Sequence, residues 1–93
     1  MRVSGRQIRE EVNQTGFDFL MTDLDTRLAF IQIARGPNFD AETKRRNVIN
    51  ARRAYDTVGR LRERLQLDSE QQRAFDEKRM SLKNALEQMG ERI

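Results

Sequence analysis

Residues Arg45–Leu65 read RRNVINARRAYDTVGRLRERL, seven arginines and only two acids in 21 positions. On a helix turning 100° per residue, Arg46, Asn50, Arg53, Thr57, Arg60 and Arg64 fall within about 80° of one another. Guanidinium groups in such a row can follow a phosphate backbone, and an amide among them is a side chain that reads base edges. Arg46, Asn50, Arg53, Arg60 and Arg64 are therefore the candidate polyanion-binding residues, with nucleic acid as the partner. Three features weaken that reading. Glu42 to Arg46 and Asp56 to Arg60 are i,i+4 pairs in the favoured order, and Arg53 reaches Asp56 at i+3, so acids stand ready to neutralise the row. No aromatic side chain interrupts it to stack on bases. The formal net charge of the chain is +3, a small excess for a dedicated nucleic-acid binder. A solvated helix face is the preferred account, and polyanion binding the alternative. Membrane-surface binding is disfavoured, because the opposite side of the same helix must serve the core.

Other chemistry is sparse. The chain has no His and no Cys, which removes the common general base, the common nucleophile and most transition-metal ligand sets. Asp18 and Asp25 share a helix face but stand two turns, about 10 Å, apart, and Asp23 lies elsewhere, so these acids cannot share a metal or a proton. Ser4, Ser69 and Ser81 have no base to activate them, and no phosphate-binding glycine loop or calcium loop is present. The expectation is a protein without catalysis, cofactor, metal or small-molecule substrate.

The elements that carry these residues follow from composition and punctuation. Ninety-three residues suffice for one domain. With 35% charged and 37% hydrophobic residues and a mean hydropathy of −0.87, the core is a narrow seam. Helix-forming residues dominate, while Gly is 5 and Pro 1. The pI is about 9.9 and the basic excess is concentrated in residues 37–67, which carry eight basic and four acidic side chains. The longest apolar run, Leu28–Ile31, is far short of the roughly 20 residues that span a bilayer, and the first residues lack a secretory apolar stretch. A cytoplasmic protein is expected.

Start and stop signals predict helices over about 17–35, 41–66 and 69–89 in an antiparallel three-helix bundle, with residues 1–15 a flexible segment or a short fourth helix near 6–13. Gly36-Pro37 ends the first helix, Gly36 taking a left-handed conformation. Asp40 caps the second. Asp68 with Gln71 forms a capping-box pattern for the third, which stops at Gly90. The apolar stripes are Phe17, Leu20, Met21, Leu24, Leu28 and Ile31; Val48, Ala51, Ala54, Tyr55, Val58, Leu61 and Leu65; and Phe75, Leu82, Ala85, Leu86 and Met89. Gly59, inside the second helix, is expected to admit a large neighbour such as Phe75. The first turns of that helix, AETKRRN, nearly lack apolar side chains and are expected to project from the bundle or to receive the N-terminal segment.

The run NARRAYDTV is similar to the second helix of a tetratricopeptide hairpin. That family repeats at about 34 residues with helices near 13, whereas the helix here is almost twice as long and no repeat follows, so no family is assigned.

The first helix has a second apolar edge. Phe19, Phe30 and Ile33 fall within about 60° of one another, nearly opposite its main stripe. Something must cover them: Ile8 and Val12 of the N-terminal segment, or another chain. Phe19, Phe30 and Ile33 are therefore the candidate protein-interface residues, and the expected role is a protein-interaction or self-association module, with a homodimer as the simplest partner.

Overall fold

A computed structural model describes residues 4–93 and places among them three α-helices and no strand. Helix α1 spans Gly5–Ala34, α2 Ala41–Arg62 and α3 Ser69–Gln88. Each helix packs against both others, α1 most extensively, in the three-helix bundle that the stripes imply. Links of residues 35–40 and 63–68 are short and turn the chain back on itself, which makes sequential neighbours antiparallel.

The core is the seam where the three stripes meet. Leu20, Leu24 and Ile31 of α1, Ala51 and Val58 of α2, and Phe75, Leu82, Ala85 and Leu86 of α3 form one buried cluster. Phe17, Met21, Leu28, Tyr55, Leu61 and Leu65 lean on its margins. No charged or polar residue is buried among the described residues, so burial here is purely apolar.

The beginning of the chain departs from expectation. Residues 4–15 are neither a separate segment nor a short fourth helix: α1 is continuous for 30 residues, about 45 Å, against 22 and 20 residues for α2 and α3. Ser4 is its N-cap, with Oγ accepting from the Gln7 N–H at 3.1 Å. Gly16, placed by the sequence pattern at a boundary, lies inside the helix. A Cβ there would stand 2.7 Å from Leu65 Cδ2, so the glycine lets the Leu65 side chain lie directly on the α1 backbone. Two further ties hold this level: Asn13 Oδ1 accepts from the Gln66 N–H at 3.0 Å, and Gln14 Oε1 from Gln71 Nε2 at 3.1 Å. Residues 1–3 of the expected N-terminal segment lie outside the described residues.

The projecting element is consequently α1, whose residues from Gly5 to Val12 are all exposed. The start of α2 instead meets the end of α3, where Lys44, Arg45, Val48 and Ile49 share a cleft with Met89, Gly90 and Glu91; from mid-helix, Arg52 Nη1 donates to the Arg92 carbonyl at 2.7 Å. The far end of α2 stops at Arg62, four residues earlier than expected, because the N–H groups of Glu63, Arg64 and Leu65 each turn to the carbonyl three residues back. Gly36 is not left-handed either; its N–H bonds to the Ile33 carbonyl at 3.0 Å, and Pro37 prevents continuation. Gly90, at φ 95°, is the left-handed glycine, and its N–H and that of Glu91 bond back to Glu87 and Leu86 in a Schellman closure of α3. The caps at Asp40 and Asp68 form as expected, the latter with both bonds of the capping box to Gln71.

Candidate interaction surface

Continuity of α1 changes the content of its second apolar edge. At 100° per residue, Ile8, Val12, Phe30 and Ile33 all fall within about 40° of the Phe19 direction; Thr15 lies between Val12 and Phe19, and Asp23 and Thr26 occupy the roughly 16 Å between Phe19 and Phe30. Ile8 is 50% exposed, Val12 60%, Phe19 61%, Phe30 47% and Ile33 55%. The residues expected to cover the edge cannot do so, since Ile8 and Val12 are coaxial with it and extend it. The stripe runs the length of α1, about 38 Å from Ile8 to Ile33.

Its lower half is concave. Thr15 and Gly16 leave a dip between Val12 and Phe19, and Leu20, Leu61 and Leu65 wall the part nearest α2, a depression of about 340 Å³. A second depression of about 480 Å³ continues from Thr15 and Gly16 down to Ile8 and Val12. Both dips have Thr15 and Gly16 as their floor and larger side chains as their walls.

One margin of this face is basic. Arg64 borders the Phe19 depression, while Arg60 and Thr57 stand beside it on α2. Asn50, Arg53 and Thr57 line a small cleft with Asp23 and Arg27 of α1. Arg46 lies at the other end, 3.5 Å from Glu42 in the expected pair. The acid expected to neutralise the middle of the row is engaged elsewhere: Asp56 Oδ2 accepts from Arg52 Nε at 3.3 Å, and Arg60 Nη2 donates to Thr57 Oγ1 instead. Among the described residues, no acid lies within ion-pair reach of Arg53, Arg60 or Arg64. The arginine row and the apolar edge, two separate features in the sequence, are therefore adjacent margins of one surface.

The other margin is acidic. Glu11, Asp18 and Asp25 recur at i, i+7 and i+14, which sets them about 80–120° from the Phe19 direction on the side away from α2. Asp25 pairs with Lys78 of α3. Asp18 accepts from Gln14 Nε2 at 2.9 Å, and neither it nor Glu11 has a cation within ion-pair reach among the described residues. Sequence reading missed Ile8 and Val12 as members of the face, and Glu11 and Asp18 as its edge. The i, i+4, i+11 and i+22 spacing of residues 8, 12, 19 and 30 carries the signal once the helix is drawn through Gly16.

No helix among the described residues is long and apolar enough to cross a membrane. No protein-family model matches this chain, and neither a curated protein nor a solved structure matches it.

Proposed function

We propose that this protein is a non-enzymatic interaction module that takes another protein surface, in the first instance its own copy, on the exposed face of α1. The observation that supports this reading is the alignment of Ile8, Val12, Phe19, Phe30 and Ile33, each at least 47% exposed, along one line of one helix. Single exposed apolar residues are ordinary, and Phe39, Ile49 and Met80 are such cases here. Five on one face of one helix are not, because apolar side chains clustered on a face left in water mark a surface that is covered in use.

Sedimentation equilibrium from about 1 μM to about 1 mM is the direct test, since that range brackets weak and moderate dimers. The expected result is a mass rising towards two chains, and a return to one chain when Phe19 and Phe30 are both changed to Glu. A wild-type protein that stays at one chain throughout would sink the self-association reading.

A second reading has support in the unneutralised arginines. Arg46, Asn50, Arg53, Arg60 and Arg64 would then hold a polyanion such as duplex nucleic acid. Affinity for a DNA duplex should fall steeply with salt, and Arg53→Ala with Arg60→Ala should reduce the salt slope by about 1 for each phosphate no longer held. Failure to bind heparin or duplex at low salt removes it.

A further inference from the structure

From the charge layout around α1 we infer the partner and its pose: a second copy of this chain docks face to face, with the two α1 helices parallel and in register about a two-fold axis running along them. This inference rests on the reading of the α1 face as an association surface and adds the orientation.

Area sets the first constraint. A stripe about 38 Å long and one helix, about 10 Å, wide offers roughly 400 Å² per copy, about half of the roughly 800 Å² per partner of a standard interface. Stripe against stripe is insufficient, so the flanks must also meet. The flanks differ in sign. On the α2 side stand Arg53, Arg60 and Arg64, all exposed, with Glu63 beside the last two; on the other stand Glu11 and Asp18, also exposed, with Asp25 neutralised by Lys78. The net sign of the two flanks is still opposite.

Two simple two-fold arrangements bring the stripes together. An axis perpendicular to α1 makes the helices antiparallel and lays acidic flank on acidic flank and basic on basic, which is repulsive on both sides. An axis along α1 makes them parallel and lays each acidic flank on the partner's basic flank at the same height. The heights agree at Asp18: Leu65 rests on Gly16, and Arg64 shares a depression with Phe19, so Arg60 and Arg64 lie at the level of Asp18, while Glu11 stands on the projecting end of α1. Like charges set opposite each other disfavour the wrong pose, and complementary pairs favour the right one.

Register supports the same pose. Ile8, Phe19 and Phe30 recur at i, i+11 and i+22, each step being about three helical turns with a residual of only about 20°. An i, i+11 repeat lets two parallel helices stay in contact with only a slight right-handed supercoil. Each of these residues would then meet its own counterpart across the axis, with the two phenylalanine pairs free to stack offset.

The chain has no cysteine, which makes single labelling clean. Gln7→Cys and Gln32→Cys, both exposed and off the stripe, each carry one spin label for pulsed distance measurement on the full chain. The parallel pose predicts a short separation at both sites, whereas an antiparallel pose places each label about 38 Å from its copy. In parallel, Asp18→Arg and the pair Arg60→Asp with Arg64→Asp should each weaken dimerisation about tenfold, and the triple variant should recover most of the loss. Long separations in a protein that does dimerise, or no recovery in the triple variant, overturn the pose and leave the association surface standing. A protein that never dimerises removes both.

Discussion

The Arg79 guanidinium lies 3.9 Å from the centre of the Tyr55 ring, and its Nε and Nη2 donate to the Tyr55 carbonyl at 3.3 and 3.2 Å. That carbonyl belongs to the interior of α2, where it already faces the N–H four residues on, at Gly59. A Cβ on residue 59 would collide with Arg79 Nη2. The close neighbour of Gly59 is thus a cation, not Phe75, and the glycine is what exposes a helix carbonyl to a side chain from α3. Together with Arg62, which bonds Gln72 and the Leu65 carbonyl, Arg79 bridges the α2–α3 seam with polar contacts.

Gly59→Ala therefore sets two effects against each other. Helix propensity gains about 1 kcal/mol. Displacing Arg79 forfeits charged hydrogen bonds worth about 1.5–3 kcal/mol and a cation–π contact of about 0.5–1 kcal/mol, discounted because Arg79 is partly exposed. A net loss of about 1 kcal/mol is expected by urea unfolding. In an Arg79→Leu background the same substitution should instead stabilise, and a double-mutant cycle without that change of sign would refute the assignment.

Gly16→Ala tests the contact that anchors the middle of α1. The new methyl meets Leu65 Cδ2 and Cδ1 at 2.7 and 3.1 Å. Overpacking of this kind costs about 1–3 kcal/mol, which exceeds the propensity gain. A lower melting temperature is expected, with the effect reversed to a gain when Leu65 is also Ala. The same variant fills the floor of the Phe19 depression, so dimer affinity should fall with it.

These two glycines also show where the sequence was legible. Caps are local chemistry, and Asp40, the Asp68–Gln71 box and Gly90 all sit where the sequence places them. Hydrophobic periodicity, by contrast, reports where a helix is buried and not where it exists. The stripe beginning at Phe17 marks the rim of the bundle, and α1 continues beyond that rim all the way back to Gly5. At the end of α2, Leu65 keeps its place against the core through a tightened turn, so the stripe outlasts the helix. Ion pairing at Asp56 is expected from Arg53 or Arg60, but Arg52, one turn before it, makes the pair. That choice is what left the middle of the arginine row unneutralised.

Acid should unfasten the start of α2. The Thr43 N–H donates to Asp40 Oδ1 at 2.7 Å, and this backbone bond, followed by the Thr43 hydroxyl, holds the carboxyl below its ordinary value of 3.8; desolvation opposes them, and Arg46 adds a still smaller downward pull. Because the folded pKa is the lower one, the contribution to stability is complete above the unfolded value and is lost as pH falls through the folded pKa. Asn caps helices about as well as Asp but does not titrate here. The melting-temperature advantage of wild type over Asp40→Asn is expected to be constant near neutrality and to close as pH drops below 3.8; an advantage that widens in acid would contradict the capping account.

Substitution should separate the residues of α1 that hold the bundle from those that face outward. Leu24 is fully buried in the core, whereas Phe19 is 61% exposed five residues away. Leu24→Ala removes apolar packing and leaves a cavity, at a cost of about 2–5 kcal/mol, a large part of the stability of a small domain. Phe19→Ala, despite deleting a larger side chain, should change the stability of the isolated chain by less than about 1 kcal/mol. Measured by urea unfolding at a concentration where the chain is single, the order should be Leu24 far above Phe19. At high concentration the order should narrow, because a dimer adds mass-action stability that depends on Phe19. A Phe19→Ala loss that is large and independent of concentration would mean that the α1 stripe serves the fold and not a partner.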